Sequence, residues 1–326
     1  MFSPLIVRPA RFVSAVLETL RRTVKLAEAV SFPGRRMVKQ CRGLRFVAVL
    51  SGLWLAIAGG QATAAESAPT IRLDMMWRTQ GLANPESAAL SADRTFLYVT
   101  NVNGDGAEKD GNGFIARVGL DGRMLDRDWA RGLNAPKGVM LRGRSLYVAD
   151  IDEMVVVDAG SGAVTGRVPA PGARFLNDLA FAPDGRVLIA DSQNSRIYAF
   201  RSGTAEVWAD DALLDSINGL YAEPGRLIVT TMAGRLLAID YRTRSISILA
   251  EGLGDADGVA PLGHDNYLVS EWPGLMHVVG ADGAHRTLMD SRAEKIYLND
   301  FLLVGDVLYQ PNWEPGTVTA YRVIRQ

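Results

Sequence analysis

The sequence has few residues of the kinds that form covalent cross-links or soft-metal sites. Its 326 residues include one cysteine and three histidines. A single cysteine excludes an intramolecular disulfide framework and any cysteine-rich zinc site. Neither sign of charge dominates, because 35 basic and 36 acidic residues leave a formal net charge of -1. A nucleic-acid binder needs a basic excess, so we expect no nucleic-acid partner.

Long apolar runs are also scarce. The one uncharged, mostly apolar run spans residues 46–59, which is shorter than the roughly 20 residues that cross a bilayer. A short basic segment precedes this run, and Ala62-Thr63-Ala64 follows it. This order is typical of a secretory signal peptide, here residues 37–64 with cleavage near Ala64. We therefore expect a periplasmic or secreted protein with no membrane segment after cleavage, and an uncleaved anchor is the alternative.

The charge is divided unevenly along the chain. Residues 1–64 carry ten Lys or Arg and two acidic residues, whereas the remainder carries 25 basic and 34 acidic residues. Residues 1–36 precede the signal peptide, so we interpret them as a mis-assigned start, with Met37 the true one, or as a leader extension. Cys41 lies in the predicted signal peptide, which cleavage would remove. The mature domain is therefore predicted to be acidic and free of cysteine, which suits an oxidising compartment.

The rest of the sequence repeats with a period of about forty residues. Each of six repeats has a polar residue at the start of an apolar stretch, then a turn rich in Gly and Asp, then further short runs of β-branched and aromatic residues. The six polar residues are Glu86, Lys137, Asn177, Asn218, Asp257 and Asn299. Their spacings are 51, 40, 41, 39 and 42. Short strands at such a period predict propeller blades.

The last repeat ends at its third strand, and a matching orphan strand lies at about residues 71–77. We predict that this N-terminal strand completes the last blade and closes the ring, which would protect the sheet edges. The sequence thus predicts an all-β, six-bladed β-propeller over residues 70–326 as one domain. A β-sandwich with the same number of strands would not explain the regular period.

The six polar residues are expected to converge at one end of the central channel, because the first strand of each blade lines that channel. Most of them offer oxygen atoms, and hard cations such as Ca²⁺ bind carboxylate and amide oxygens. We therefore predict a Ca²⁺ site, or a site for another divalent cation, formed by Glu86, Asn177, Asn218, Asp257 and Asn299. The alternative is that Asn and Asp merely suit the turns before the strands.

This pattern resembles the regucalcin/gluconolactonase-like (senescence marker protein) family of calcium-dependent six-bladed propellers, which is related to the paraoxonases and diisopropyl fluorophosphatase. The most family-like segments are residues 177–185 and 189–192. The resemblance covers nearly all of the mature chain. It implies that Glu86, Asn177, Asn218 and Asp257 hold a catalytic metal. It also implies a hydrolase of lactones or related esters with a small-molecule substrate.

Two positions depart from that pattern. The family usually has Gly after the first-blade Glu, where this chain has Ser87. The second blade places Lys137 in the ring, and its charge would repel a bound cation unless the side chain points aside or deprotonates. The alternative is an ion pair between Lys137 and Glu86 or Asp257 in a metal-free channel.

The catalytic candidates are Asp257, Lys137 and Asp178. Asp257 would activate or position water, Lys137 would polarise a substrate oxygen, and Asp178 is a second candidate base. No paraoxonase-type catalytic histidine is evident. We also keep the hypothesis of a non-catalytic propeller that binds a small ligand or a protein partner.

Overall fold

The computed structural model describes residues 69–325, so the predicted leader extension (1–36) and signal peptide (37–64) lie outside the described residues. Within residues 69–325 the chain forms 25 β-strands and one short 3₁₀ helix, Ala212–Leu214. No helix in that range is long and apolar enough to cross a membrane. The prediction of an all-β protein is confirmed.

The strands form six antiparallel sheets, which are the blades of a propeller. The first strand, β1, is Ile71–Thr79. Blade 1 contains β2 (Pro85–Leu90), β3 (Phe96–Asn101), β4 (Gly113–Gly119) and β5 (Met124–Leu133). Blade 2 contains β6 (Pro136–Arg142), β7 (Ser145–Asp150), β8 (Glu153–Asp158) and β9 (Val164–Pro169). Blade 3 contains β10 (Leu176–Phe181), β11 (Val187–Asp191), β12 (Arg196–Arg201) and β13 (Thr204–Asp210).

The remaining blades repeat the same order. Blade 4 contains β14 (Ile217–Glu223), β15 (Arg226–Thr231), β16 (Arg235–Asp240) and β17 (Ile246–Glu251). Blade 5 contains β18 (Asp255–Gly263), β19 (Asn266–Trp272), β20 (Leu275–Val279) and β21 (His285–Asp290). Blade 6 contains β22 (Tyr297–Leu298), β23 (Leu302–Val304), β24 (Val307–Glu314) and β25 (Thr317–Arg325). On the outer edge of blade 6, β1 pairs antiparallel with β25, from Ile71 opposite Arg325 to Thr79 opposite Val318.

The hydrophobic core lies between the blades and not inside any one of them. Six apolar clusters each draw buried side chains from two neighbouring sheets. In the cluster between blades 6 and 1, Leu97 and Val99 pack with Val318 and Ala320, and all four are fully buried. Burying one Leu or Val contributes roughly 1.5–3 kcal/mol. The six clusters therefore fix every blade against both neighbours and arrange the first strands around one axis.

The first strand of each blade is interrupted near its start. In blades 1 to 5 the pairing of the first and second strands shifts register around the polar residue of the repeat, for example between Ile217 and Leu220. In blade 6 the segment between β22 and β23 takes this place. A polar residue at the start of an apolar stretch predicts a strand that begins after it. In blades 1 to 5 the strand begins one or two residues before the polar residue, which therefore lies within the irregular part of the pairing.

Side-chain hydroxyls of the second strands replace the ladder hydrogen bonds that the irregularities remove. Thr230 Oγ1 accepts a hydrogen bond from the Gly219 amide at 2.8 Å, and Ser270 Oγ accepts one from the Gly258 amide at 2.7 Å. Thr230 Oγ1 also donates to the Asp257 carbonyl oxygen of the next blade. A buried amide needs such a partner, so these hydroxyls hold the interrupted strands in place.

Candidate functional site

The structure places five of the six polar residues on the first strands of blades 1 to 5 and the sixth, Asn299, between β22 and β23, and it buries all of them. We call this set the ring residues: Glu86, Lys137, Asn177, Asn218, Asp257 and Asn299. Their exposed fractions lie between 2% and 7%. The side chains are close enough for their charges to interact, because the charges of Asp257 and Lys137 both act on the Glu86 carboxyl.

Three oxygen atoms of the ring are buried and have no hydrogen-bond partner among residues 69–325. They are Glu86 Oε2, Asn177 Oδ1 and Asn218 Oδ1. Each buried acceptor without a partner costs about 1–3 kcal/mol. Three such atoms in one ring therefore need an explanation. A bound cation would provide one, because it takes oxygen ligands directly.

Asn177 has a partner for its amide nitrogen and none for its amide oxygen. Asn177 Nδ2 donates to Ser192 Oγ at 3.4 Å, whereas Asn177 Oδ1 is buried without a partner among residues 69–325. Asn218 lies close enough to Asp257 to lower the pKa of that carboxyl, against the larger effect of burial. Because its nitrogen is occupied and its oxygen is free, Asn177 is oriented as a metal ligand would be.

Burial raises the pKa of the ring carboxyls. Desolvation raises the pKa of Glu86 well above its usual value, and the nearby Asp257 and Asp300 raise it further. Desolvation, with a contribution from Asp300, raises the pKa of Asp257 to about 8. A positive charge between these carboxyls would favour their ionised forms. In the protein alone, burial and like charges thus disfavour the ionised forms of these acids, and a bound cation would offset that cost.

Lys137 is buried but turned aside from the acids of the ring. Its Nζ donates to the Gly106 carbonyl oxygen at 2.6 Å and to the Ala135 carbonyl oxygen at 3.1 Å. It also lies 4.1 Å from the centroid of the Phe175 ring. Among residues 69–325 no carboxylate oxygen lies within 4.0 Å of Lys137 Nζ. The alternative of a direct Lys137–Glu86 or Lys137–Asp257 ion pair is therefore wrong, because backbone carbonyls hold the ammonium.

The loop that contains Gly106, residues 102–112, reaches from blade 1 to Lys137 and Phe175. Two of its polar side chains form hydrogen bonds within the loop. Asp105 Oδ1 accepts the Ala107 amide at 2.8 Å, and Asn103 Nδ2 donates to the Asn112 carbonyl at 3.0 Å. The contact between this loop and Lys137 has no signal in the sequence.

A second layer of acids lies next to the ring, one residue further along the inner strands. Asp178 Oδ1 and Oδ2 accept the Leu179 and Leu220 amides, each at 2.7 Å. Asp300 Oδ2 accepts the Ser87 hydroxyl at 2.6 Å. Both acids bridge to the next blade, and both also line the central cavity. Ser87, which follows Glu86 in the first strand of blade 1, is thus the partner of Asp300.

Glycine is required beside this layer. A Cβ atom on Gly258 would lie 2.5 Å from Asp300 Oδ1 and 3.0 Å from Asp300 Cα. We expect Gly258→Ala to lower the free energy of unfolding by about 1–3 kcal/mol, because the extra methyl group overpacks the inner strands. Urea unfolding measures it. The control is Gly166→Ala, whose Cβ would meet only Val156, at 3.9 Å or more. Equal stability of the two variants would contradict the expectation.

The donor set suits a hard cation and not a soft one. Within residues 69–325 no group of three or more His, Cys, Asp and Glu side chains is arranged to hold a metal ion. The candidate site therefore depends on amide oxygens as well as on the Glu86 and Asp257 carboxylates. Zinc and copper favour thiolate and imidazole ligands, whereas Ca²⁺ favours oxygen.

Three aromatic side chains form a cluster, in which Tyr297 lies two residues before the ring residue Asn299 in sequence. Trp272 lies edge-on to Tyr297 and to Trp313, with ring centroids 5.8 and 6.3 Å apart. All three are half-buried. They join blades 5 and 6, so inter-blade packing explains their position, and their exposed parts can also contact a ligand.

The three histidines lie away from the ring. His264 is in the exposed turn between β18 and β19, and His285 is exposed on β21. His277 is buried on β20, where its Nε2 lies 2.6 Å from Glu271 Oε2. None of these positions provides a general base for chemistry at the ring.

Comparisons with known proteins identify the fold. No protein-family model matches the chain, and no curated protein matches its sequence. A catalytically inactive histidine-to-alanine variant of virginiamycin B lyase from Staphylococcus aureus, solved with quinupristin, has a TM-score of 0.54 at 12% identity, covering 78% of this chain and 100% of that chain. A streptogramin B lyase structure has a TM-score of 0.57 at 11% identity, covering 78% and 98% of the two chains. This chain is therefore a six-bladed β-propeller that shares its fold with streptogramin B lyases.

Proposed function

We propose that this protein is a calcium-dependent hydrolase of lactones or related esters, similar in its site to the regucalcin/gluconolactonase-like group. The observation that carries the proposal is the set of unpartnered oxygens at Glu86, Asn177 and Asn218. They occupy three of the positions that the resemblance assigns to metal ligands. A fold alone would not suggest this, since propellers serve many functions.

Glu86, Asn177, Asn218, Asp257 and Asn299 would hold the cation. When bound, Ca²⁺ or another divalent cation supplies a Lewis acid that polarises an ester carbonyl and stabilises the developing oxyanion. Asp257 would accept the proton of the attacking water at a carboxylate oxygen and return it to the leaving alcohol oxygen as the acyl C–O bond breaks. We favour it over Asp178, because both oxygens of Asp178 already accept backbone amides.

Lys137 binds the substrate oxygen beside this site. An ammonium group has three N–H donors, and the carbonyls of Gly106 and Ala135 take two of them. The third donor is free for a substrate carbonyl oxygen. Trp272, Tyr297 and Trp313 would contact the apolar part of a small-molecule substrate.

The proposal places the protein in the periplasm or outside the cell, delivered by the signal peptide at residues 37–64. It does not transfer the lyase activity of the structural neighbours. One of them is catalytically inactive as a histidine-to-alanine variant, whereas the histidines of this chain lie away from the ring. We therefore favour carboxylate-assisted hydrolysis.

A panel of lactones and aryl esters tests the proposal with the purified full chain. We expect hydrolysis that a chelator abolishes and added Ca²⁺ restores. Asp257→Asn should reduce kcat at least a hundredfold, because a positioned base contributes about 10²–10⁴-fold. Asp282→Asn, in an exposed turn, is the control. Calcium binding without hydrolysis of any substrate would instead favour the alternative, a propeller that binds a small ligand or a protein partner.

A further inference from the structure

The central channel contains a cavity that the proposed hydrolysis does not use. Its volume is about 460 Å³, within the range of about 300–1,000 Å³ that is typical of small-molecule sites. It begins at the second acid layer and continues along the inner strands toward their carboxyl ends. It therefore extends away from the ring residues, none of which line it.

The cavity has an acidic inner end and mostly apolar walls. Asp178, Asp300 and Ser87 form the inner end. The walls include Val139, Leu179, Leu220, Val259 and Phe301. Burial raises the pKa of Asp300 to about 6 against the lowering effect of the Ser87 hydroxyl. Neither Asp178 nor Asp300 has an ion pair within 4.0 Å among residues 69–325.

Among residues 69–325, one cationic residue lines the cavity, Arg325, which lies with Gly305 at its outer end. A ligand with a positive group would be repelled at this rim and attracted to the inner end. A ligand with a negative group would be attracted to the rim and repelled by Asp178 and Asp300. The acidic inner end therefore favours a positive group at that end, and Arg325 disfavours one at the rim.

We propose that the channel binds an organic ammonium ion with an extended apolar chain. The ammonium lies against Asp300 and Asp178, and the chain lies along the apolar walls toward Arg325. An apolar chain displaces water from Leu, Val and Phe side chains, which is favourable in proportion to the area buried. Charge-assisted hydrogen bonds to the carboxylates then distinguish an amine from a neutral molecule of the same length.

The test is calorimetric titration of the purified full chain with n-octylamine and with 1-octanol at pH 7. We expect the amine to bind at least tenfold more tightly than the alcohol, since a hydrogen bond to a charged group is worth that much or more. From n-butylamine to n-octylamine the affinity should rise about fourfold per methylene. Equal binding of amine and alcohol, or no dependence on chain length, would overturn the proposal.

Variants locate the ammonium group. Asp300→Asn should remove the preference for amine over alcohol, whereas Asp306→Asn, in the exposed turn at the outer end, should keep it. The chain-length series with the unmodified protein decides the matter if Asp300→Asn fails to fold. If Ca²⁺ displaces the amine competitively and Asp300→Asn weakens calcium binding, the inner end binds an inorganic cation and the proposal is wrong.

The ring provides a separate readout. Asn218→Ala should weaken calcium binding and leave octylamine binding within about twofold of the unmodified protein. Loss of amine binding with calcium binding intact would refute only the channel ligand. Amine binding without any calcium binding would refute only the proposed metal-dependent function.

Discussion

Calcium at one hundred times its dissociation constant is expected to raise the melting temperature of the purified protein by about 5–10 °C. Ligand at that excess stabilises the folded state by about 2.7 kcal/mol, and one kcal/mol corresponds to about 2–4 °C in a domain of this size. The physical source is the ring, where Glu86, Asn177 and Asn218 each keep a buried oxygen without a partner. Differential scanning calorimetry with calcium and with chelator measures the shift.

The variant that tests the site is Asn218→Ala, which removes one of these oxygens and should abolish most of the calcium shift. Asn112→Ala is the matched control, because Asn112 is exposed in the loop of residues 102–112. A calcium shift that persists in Asn218→Ala but disappears in Asn112→Ala would place the ion in the loop. A protein whose melting temperature calcium does not change would contradict the proposed metal site.

Lys137→Met is expected to increase calcium affinity at least tenfold at pH 7. The Lys137 ammonium interacts with Glu86 and lies in the same buried ring, so its charge opposes a divalent cation there. Two unit charges several ångströms apart interact by a few kcal/mol at an effective dielectric constant of about 20. Methionine keeps an apolar stem against Phe175 and removes the charge, together with the two hydrogen bonds to the Gly106 and Ala135 carbonyls. Calorimetric titration with calcium measures the change.

The control for this variant is Lys109→Met. Lys109 is on the loop of residues 102–112, where its ammonium pairs with Asp152 at 2.6 Å, but its side chain is 54% exposed. An exposed ion pair contributes little and is screened by solvent, so calcium affinity should stay within about twofold. Lower calcium affinity in Lys137→Met would mean that Lys137 supports the site. Hydrolysis should still fall in this variant, since the donor to the substrate oxygen is lost.

The fold followed closely from the sequence, because each blade repeats the same local pattern. Spacings of 39 to 42 residues between Lys137, Asn177, Asn218, Asp257 and Asn299 predicted equivalent positions on five neighbouring blades. The residue types of the second and third strands, such as Leu227-Ile228-Val229, are apolar on both faces. Both faces are buried because every blade packs on two neighbours. Periodicity and residue type carry this information locally.

Only part of the candidate site could be predicted from the sequence. The sequence predicted which residues surround the channel end, but it placed the strand starts after them. The irregularity at each ring residue depends on hydroxyl groups such as Thr230, which replace the ladder hydrogen bonds from the neighbouring strand. Which hydroxyl group meets which amide depends on how the strands pair in space, and the spacing of the repeats does not predict that pairing.

By itself the sequence determined the number of blades, the oxygen-rich composition of the ring and the absence of histidine from it. The tertiary structure alone decided which of those oxygens lack partners, where Lys137 points, and how the second acid layer joins an apolar cavity. Lys137 is held by Gly106, 31 residues away, and Asp300 by Ser87, 213 residues away. Repeats specify each blade through local patterns, whereas these contacts join different blades and exist only when the ring is assembled.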